Sequence, residues 1–260
     1  MSKLIENLDK VGTITPSPMG FGTSRDTKKS PPLMLLGLSQ LKSRRVAAKL
    51  PLDSLIFTTD VINKSTLQNF LTLSNDVPWG IWINEFEPES LEVLENEAVD
   101  YLVFSDITAP ATILASDNLG RIIATPPDFP EELAHGLNEI PIDAIILTGI
   151  EDTSPISVKD LLRIRSFRDI VDKPILILRS VTLTKQELEI LRDIGIQGII
   201  VDCKWMDPQL TITLRDEIDT LLPRKTRNIG SKALLPTLNQ EPEQTYNDDD
   251  DYDDDGDYDE

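Results

Sequence analysis

The chain has 260 residues with 45 acidic and 25 basic side chains, a formal net charge of −20. Its 40% hydrophobic and 27% charged composition is that of a water-soluble globular chain and excludes fibrous and membrane classes, and the acidic excess argues against a broad nucleic-acid-binding face. A single cysteine, Cys203, excludes an intrachain disulfide and a four-thiolate metal site, and a cytoplasmic setting is the expectation.

Residues 1–32 read as an N-terminal extension, a short helix-like start followed by the proline- and glycine-rich stretch 13–22. From residue 33 onward, short apolar runs recur: Leu33–Leu38, Ser54–Asp60, Trp79–Asn84, Tyr101–Asp106, Arg121–Thr125, Ala144–Thr148, Pro174–Arg179 and Gly198–Asp202. Their starts are 21, 25, 22, 20, 23, 30 and 24 residues apart. The runs are apolar on consecutive rather than alternate positions, which is how strands buried on both faces of a parallel sheet read.

Between the runs, apolar residues at three- and four-residue spacing predict helices over Pro88–Ala98, Pro130–Glu139, Ser157–Val171, Thr184–Asp193 and Asp207–Leu222. Ser157 before Asp160 and Thr184 before Glu187 have capping-box spacing, and Gly195 supplies a helix stop. Eight strands alternating with helices over residues 33–222 predict a single (β/α)8 TIM-like barrel. An open doubly wound sheet is the alternative, and the even period and the count of eight favour the barrel. Residues 223–260 begin basic and end polyacidic, with 12 carboxylates and no Lys or Arg between Glu241 and Glu260. Such a tail is expected to be disordered and to engage a basic protein partner at low salt. Its stretch Asp251–Gly256 matches the opening of an EF-hand loop but ends before the glutamate at the twelfth position.

In a barrel of this type, chemistry gathers at the C-terminal ends of the strands. The candidate site there is Asp60, Glu85, Asp106, Arg179, Asp202 and Lys204. Asp60, Glu85 and Asp106 form the set that a hard cation such as Mg²⁺ or Mn²⁺ would take, while polar strand ends and helix caps account for the same residues without a metal. The single histidine, His135, falls within a predicted helix, which leaves no Ser–His–Asp triad or histidine-rich zinc site. The stretch Gly149–Pro155 is the one extended loop among the strand-to-helix connections.

Two stretches carry a resemblance. Ser17-Pro18-Met19-Gly20 looks like the Ala-Pro-Met-Gly element that opens the nitronate monooxygenases, and Lys173–Asp202 is similar in length and pattern to strand seven, helix and strand eight of the phosphate- and flavin-binding (β/α)8 barrels. The resemblance implies a phosphate held by glycines after strands seven and eight. Here Arg179-Ser180-Val181 and Asp202-Cys203 occupy those places, which leaves Arg179 as the group able to meet an anion. The expectation is a divergent, non-flavin binding or scaffold member of the superfamily without a cofactor. The alternative is an enzyme acting on a small anionic metabolite, either a divalent-metal lyase or isomerase or an FMN-dependent oxidoreductase.

Overall fold

A computed structural model describes residues 2–12, 31–40, 50–59, 62–74, 77–84, 88–204 and 207–222. All lie in one compact unit, Met1–Lys225. Eight parallel strands close on themselves in sequence order: β1 (Met34–Gln40), β2 (Ser54–Thr58), β3 (Trp79–Ile83), β4 (Tyr101–Phe104), β5 (Gly120–Thr125), β6 (Ala144–Leu147), β7 (Ile175–Arg179) and β8 (Gly198–Asp202). Closure is made by β1 against β8, in register from Met34 opposite Gly198 to Leu38 opposite Asp202. The helices are α1 (Lys3–Leu8), α2 (Lys64–Ser74), α3 (Pro88–Asn96), α4 (Glu131–Glu139), α5 (Val158–Ile170), α6 (Lys185–Ile194) and α7 (Pro208–Asp219). The chain is a (β/α)8 barrel, as the period of apolar runs predicts.

The strand bounds differ from the sequence reading at their C-terminal ends. Polar ends assigned to β3, β4 and β6 lie just past the last strand residue, β2 ends at Thr58, and β1 continues through Ser39 to Gln40. The helix α2 was not predicted, because its sequence KSTLQNFLTLS is rich in residues of weak helix propensity. It forms because Leu67 and Phe70 are fully buried, and Phe70 stacks on Phe57 of β2 at 4.3 Å between centroids. Both capping signals act as read. The Ser157 hydroxyl accepts the Asp160 N–H, Thr184 and Glu187 form a reciprocal capping box, and Gly195 ends α6 at φ 100°, a conformation glycine adopts without penalty.

Successive residues of each strand face opposite sides of the sheet, so two cores arise. The outer core lies between strands and helices. The inner core fills the barrel with Leu36, Ile56, Val103, Ile122, Ile146 and Ile200 among others. Trp79 and Trp82 divide accordingly: Trp79 joins Phe57 and Phe70 outside, and Trp82 faces inward, its Nε1 donating to Ser105 Oγ at 3.1 Å.

The N-terminal end of the barrel is closed by α1. Leu4 and Leu8 are buried in the inner core, and Asp100, just ahead of β4, accepts hydrogen bonds from Ser2 Oγ (2.8 Å), Lys3 N (2.7 Å) and Leu4 N (2.9 Å). A six-residue helix is not stable alone, so this one is held by the leucines it buries and the carboxylate that caps it.

Candidate functional site

The C-terminal mouth of the barrel is built from inward-facing residues at and just past the strand ends. Following the inner register, the described ones include Gln40, Thr58, Asn84, Ser105, Thr148, Ser180 and Asp202. These described residues are neutral and polar apart from Asp202. Below it the interior is packed: Trp82, Ile146 and Ile200 are buried, so the mouth has an apolar floor.

Arg179 does not face that mouth. Its neighbours of the same parity, Ile175 and Ile177, belong to the outer core, and Arg179 is fully buried beside them. Its guanidinium donates to the carbonyls of Glu151 (2.6 Å) and Thr153 (2.7 Å), clamping the loop Gly149–Pro155 onto the barrel. Burial pulls this guanidinium below its ordinary range, while the charges of Asp152, Glu187 and Asp160 oppose the shift. Glu187 secures the other end of the loop. It accepts Ile156 N–H at 2.7 Å and the Thr184 N–H and hydroxyl at 2.8 and 2.7 Å. Burial disfavours the Glu187 carboxylate, but these donors and Arg179 outweigh it and hold its pKa below the usual value. The extended loop is therefore a fixed structural element, and the anion-meeting role expected of Arg179 gives way to that of a clamp.

The backbone amides after strands seven and eight are also engaged. Ser180 N–H donates to Asp152 Oδ1 at 3.1 Å, and Lys204 N–H donates to Asp202 Oδ1 at 2.8 Å. The Cys203 N–H, between Asp202 and Lys204 in the chain, donates instead to the Leu38 carbonyl at 2.9 Å.

Asp60 and Glu85 lie outside the described residues, as do the Ser17–Gly20 element, the EF-hand-like stretch and the acidic tail. Asp106 is exposed and accepts the N–H and hydroxyl of Thr108, both at 2.7 Å, bonds that hold its carboxyl below the usual range. It borders an outer groove together with Phe104, whereas Asp202 is on the inner register. Lys204 is exposed. Among the described residues no three His, Cys, Asp or Glu side chains gather as a metal-ligand set. His135 is exposed on α4, 3.9 Å from Glu131. Cys203 is buried, and desolvation followed by the Asp202 charge pushes its thiol up to about 12, so it is protonated and inert at neutral pH.

Sequence reasoning did not anticipate the groove beside Asp106. It has a volume of about 390 Å³ and runs between β4, β5 and α4. The signal was present as an omission: the segment 105–119 supplies no helical period of useful length and holds only one 3-10 turn, Ala111–Leu114.

No protein-family model matches the chain, and neither does any curated protein. Solved structures do. A thiamine phosphate pyrophosphorylase from Pyrococcus furiosus is 14% identical with a TM-score of 0.53, over 72% of this chain and 95% of its own. A variant tryptophan synthase α-subunit from Pyrococcus furiosus is 11% identical with a TM-score of 0.53, over 71% of this chain and 96% of its own. The tryptophan synthase α-subunit of Campylobacter jejuni gives 11% and 0.52, over 73% and 96%. At these identities the likeness establishes the (β/α)8 fold. It lends no support to the nitronate monooxygenase assignment that Ser17–Gly20 suggested. No described helix is long and apolar enough to cross a membrane.

Proposed function

We propose that this protein is a barrel adapted to binding or scaffolding, without the phosphate and flavin chemistry that its resemblance would imply. One observation carries the reading: one amide after β7, Ser180 N–H, and one after β8, Lys204 N–H, are taken by carboxylates of the chain itself, Asp152 and Asp202. An incoming phosphate would have to break those bonds and sit beside two negative charges. Both contacts are solvent-exposed, so each like-charge approach costs on the order of 1 kcal/mol at close range. The residues present thus do not fit the phosphate of FMN. The burial of Arg179 and the inert state of Cys203 point the same way, since neither is available to a substrate in the mouth.

The reading is tested by calorimetric titration of the full chain with inorganic phosphate and with FMN, together with its visible spectrum after purification. No heat is expected up to ~1 mM ligand, a concentration at which binding of roughly −4 kcal/mol would register. A flavin band near 450 nm, or micromolar affinity for either ligand, would overturn it.

A further inference from the structure

The ring of helices around the barrel has a gap. Strands β2, β3, β5, β6, β7 and β8 are each followed by an α-helix, whereas β4 is followed only by the 3-10 turn Ala111–Leu114. Phe104 and Ile123, on the outer face of β4 and β5, are buried at the base of the 390 Å³ groove, and the exposed apolar surface lies along its walls. One wall is α4, which contributes Leu133, Gly136 and Leu137, followed by Ile140 at its C-cap, a three- and four-residue spacing. Ile107, Leu133 and Ile140 are 60%, 49% and 39% exposed, so apolar surface that a helix would ordinarily cover faces solvent.

Two further features describe what covers it. Asp106 and Glu132 are the charged residues of the lining, and both are acidic. Arg121, which touches this edge through the Leu114 carbonyl, is neutralised by a two-pronged pair with Asp143. Gly136 lies mid-helix, where its backbone has no positive φ and a Cβ would meet nothing within 4 Å. Among the described residues nothing calls for glycine there, and glycine is a poor helix former. The open space over Gly136 leaves room for a body to approach α4 closely from outside.

We propose that this groove docks an amphipathic helix of a partner protein, with a basic residue beside its apolar face to meet Asp106 and Glu132. The guest occupies the gap in the helical ring, lays its apolar face on the groove and approaches α4 most closely over Gly136. This inference deepens the binding or scaffold reading and rests on it. The two fail separately, because phosphate or flavin binding would overturn that reading and leave the groove measurement unchanged.

The test uses the full-length chain and a fluorescein-labelled 14-residue helix of leucine and lysine, leucines at three- and four-residue spacing, followed by anisotropy in ~0.15 M salt. The lysine peptide is expected to bind, and a version with glutamate for lysine to bind at least about tenfold more weakly. Gly136→Leu, which fills the groove, is expected to weaken the lysine peptide about tenfold or more. It should also raise or preserve the melting midpoint, since leucine favours the helix. Glu132→Lys on the exposed rim gives a second variant with the same expected loss. Equal affinity of wild type and Gly136→Leu would place the peptide on another acidic surface and overturn the proposal. So would no binding at all, or self-association in sedimentation that Gly136→Leu abolishes, which would assign the groove to a second copy.

Discussion

Tyr101 lies across Gly80 inside the barrel: a Cβ at position 80 would stand 2.3 Å from its ring. The missing side chain on β3 lets the phenol of β4 reach β2, where its hydroxyl meets Ser54 Oγ and the Leu55 carbonyl, both at 2.8 Å. Burial keeps that phenol protonated far above its ordinary range, with the Ser54 bond opposing and the Asp100 charge adding to the shift. Gly80→Ala is therefore expected to destabilise the protein by about 3 kcal/mol through overpacking. Tyr101→Phe should cost only about 1–2 kcal/mol, because Ser54 still donates to the Pro78 carbonyl at 2.7 Å. Urea denaturation of both variants checks the order; a tolerated alanine would show that the barrel floor repacks.

The plug formed by α1 is a second point of dependence. Asp100→Ala removes the acceptor of three hydrogen bonds and is expected to cost about 1–2 kcal/mol. Deleting residues 1–12 exposes the inner core that Leu4 and Leu8 cover, at roughly 1.5–3 kcal/mol for each leucine. The deletion should lower the melting midpoint and raise binding of an apolar dye. A variant that melts like the full chain would show the plug to be dispensable.

Arg179→Met should release the loop Gly149–Pro155, whose carbonyls it holds, and leave Asp152 and Glu187 without their nearest buried cation. The expected loss is about 3 kcal/mol. Limited proteolysis should then cut within the loop, and an uncut loop would count against the clamp.

Glu187 makes the same region acid-sensitive. Its folded pKa lies below the ordinary 4.5, so unfolding takes up a proton and stability is lost as pH falls below about 4.5. Above that range Glu187 contributes no pH dependence. Glu187→Gln is expected to shallow the acid limb of a melting-midpoint profile, and an unchanged limb would remove Glu187 from the account.

Cys203 behaves in the opposite sense. With the folded thiol at about 12 against an ordinary 9.0, its contribution to stability is intact below pH 9 and declines as pH rises toward 12. At pH 8 the native protein should not react with a thiol reagent, while the denatured chain should react fully. Prompt labelling of the folded form would contradict the burial.

The barrel was legible in the sequence because its cause is local and repeated. Each strand is buried on both faces, so consecutive positions must be apolar, and a sheet closed in sequence order needs only similar units end to end. Ser157, Thr184 and Gly195 were legible for a related reason, since caps and stops depend on residues three or four positions apart. Which strand-end groups face a common centre was not local. Arg179 and Ser180 are neighbours in sequence, yet alternation turns one outward to Glu151 and Thr153 and the other toward the mouth. Likewise Asp106 and Asp202 read alike as strand-end carboxylates, and only the closed sheet assigns one to the outer groove and the other to the inner rim. The groove itself exists because α4 and two strands meet around a segment that forms no α-helix, a relation among residues up to 38 positions apart, from Phe104 to Ile142. Residue pattern decides what each element is; the packing of elements decides which side chains are left facing solvent, and so where a partner can bind.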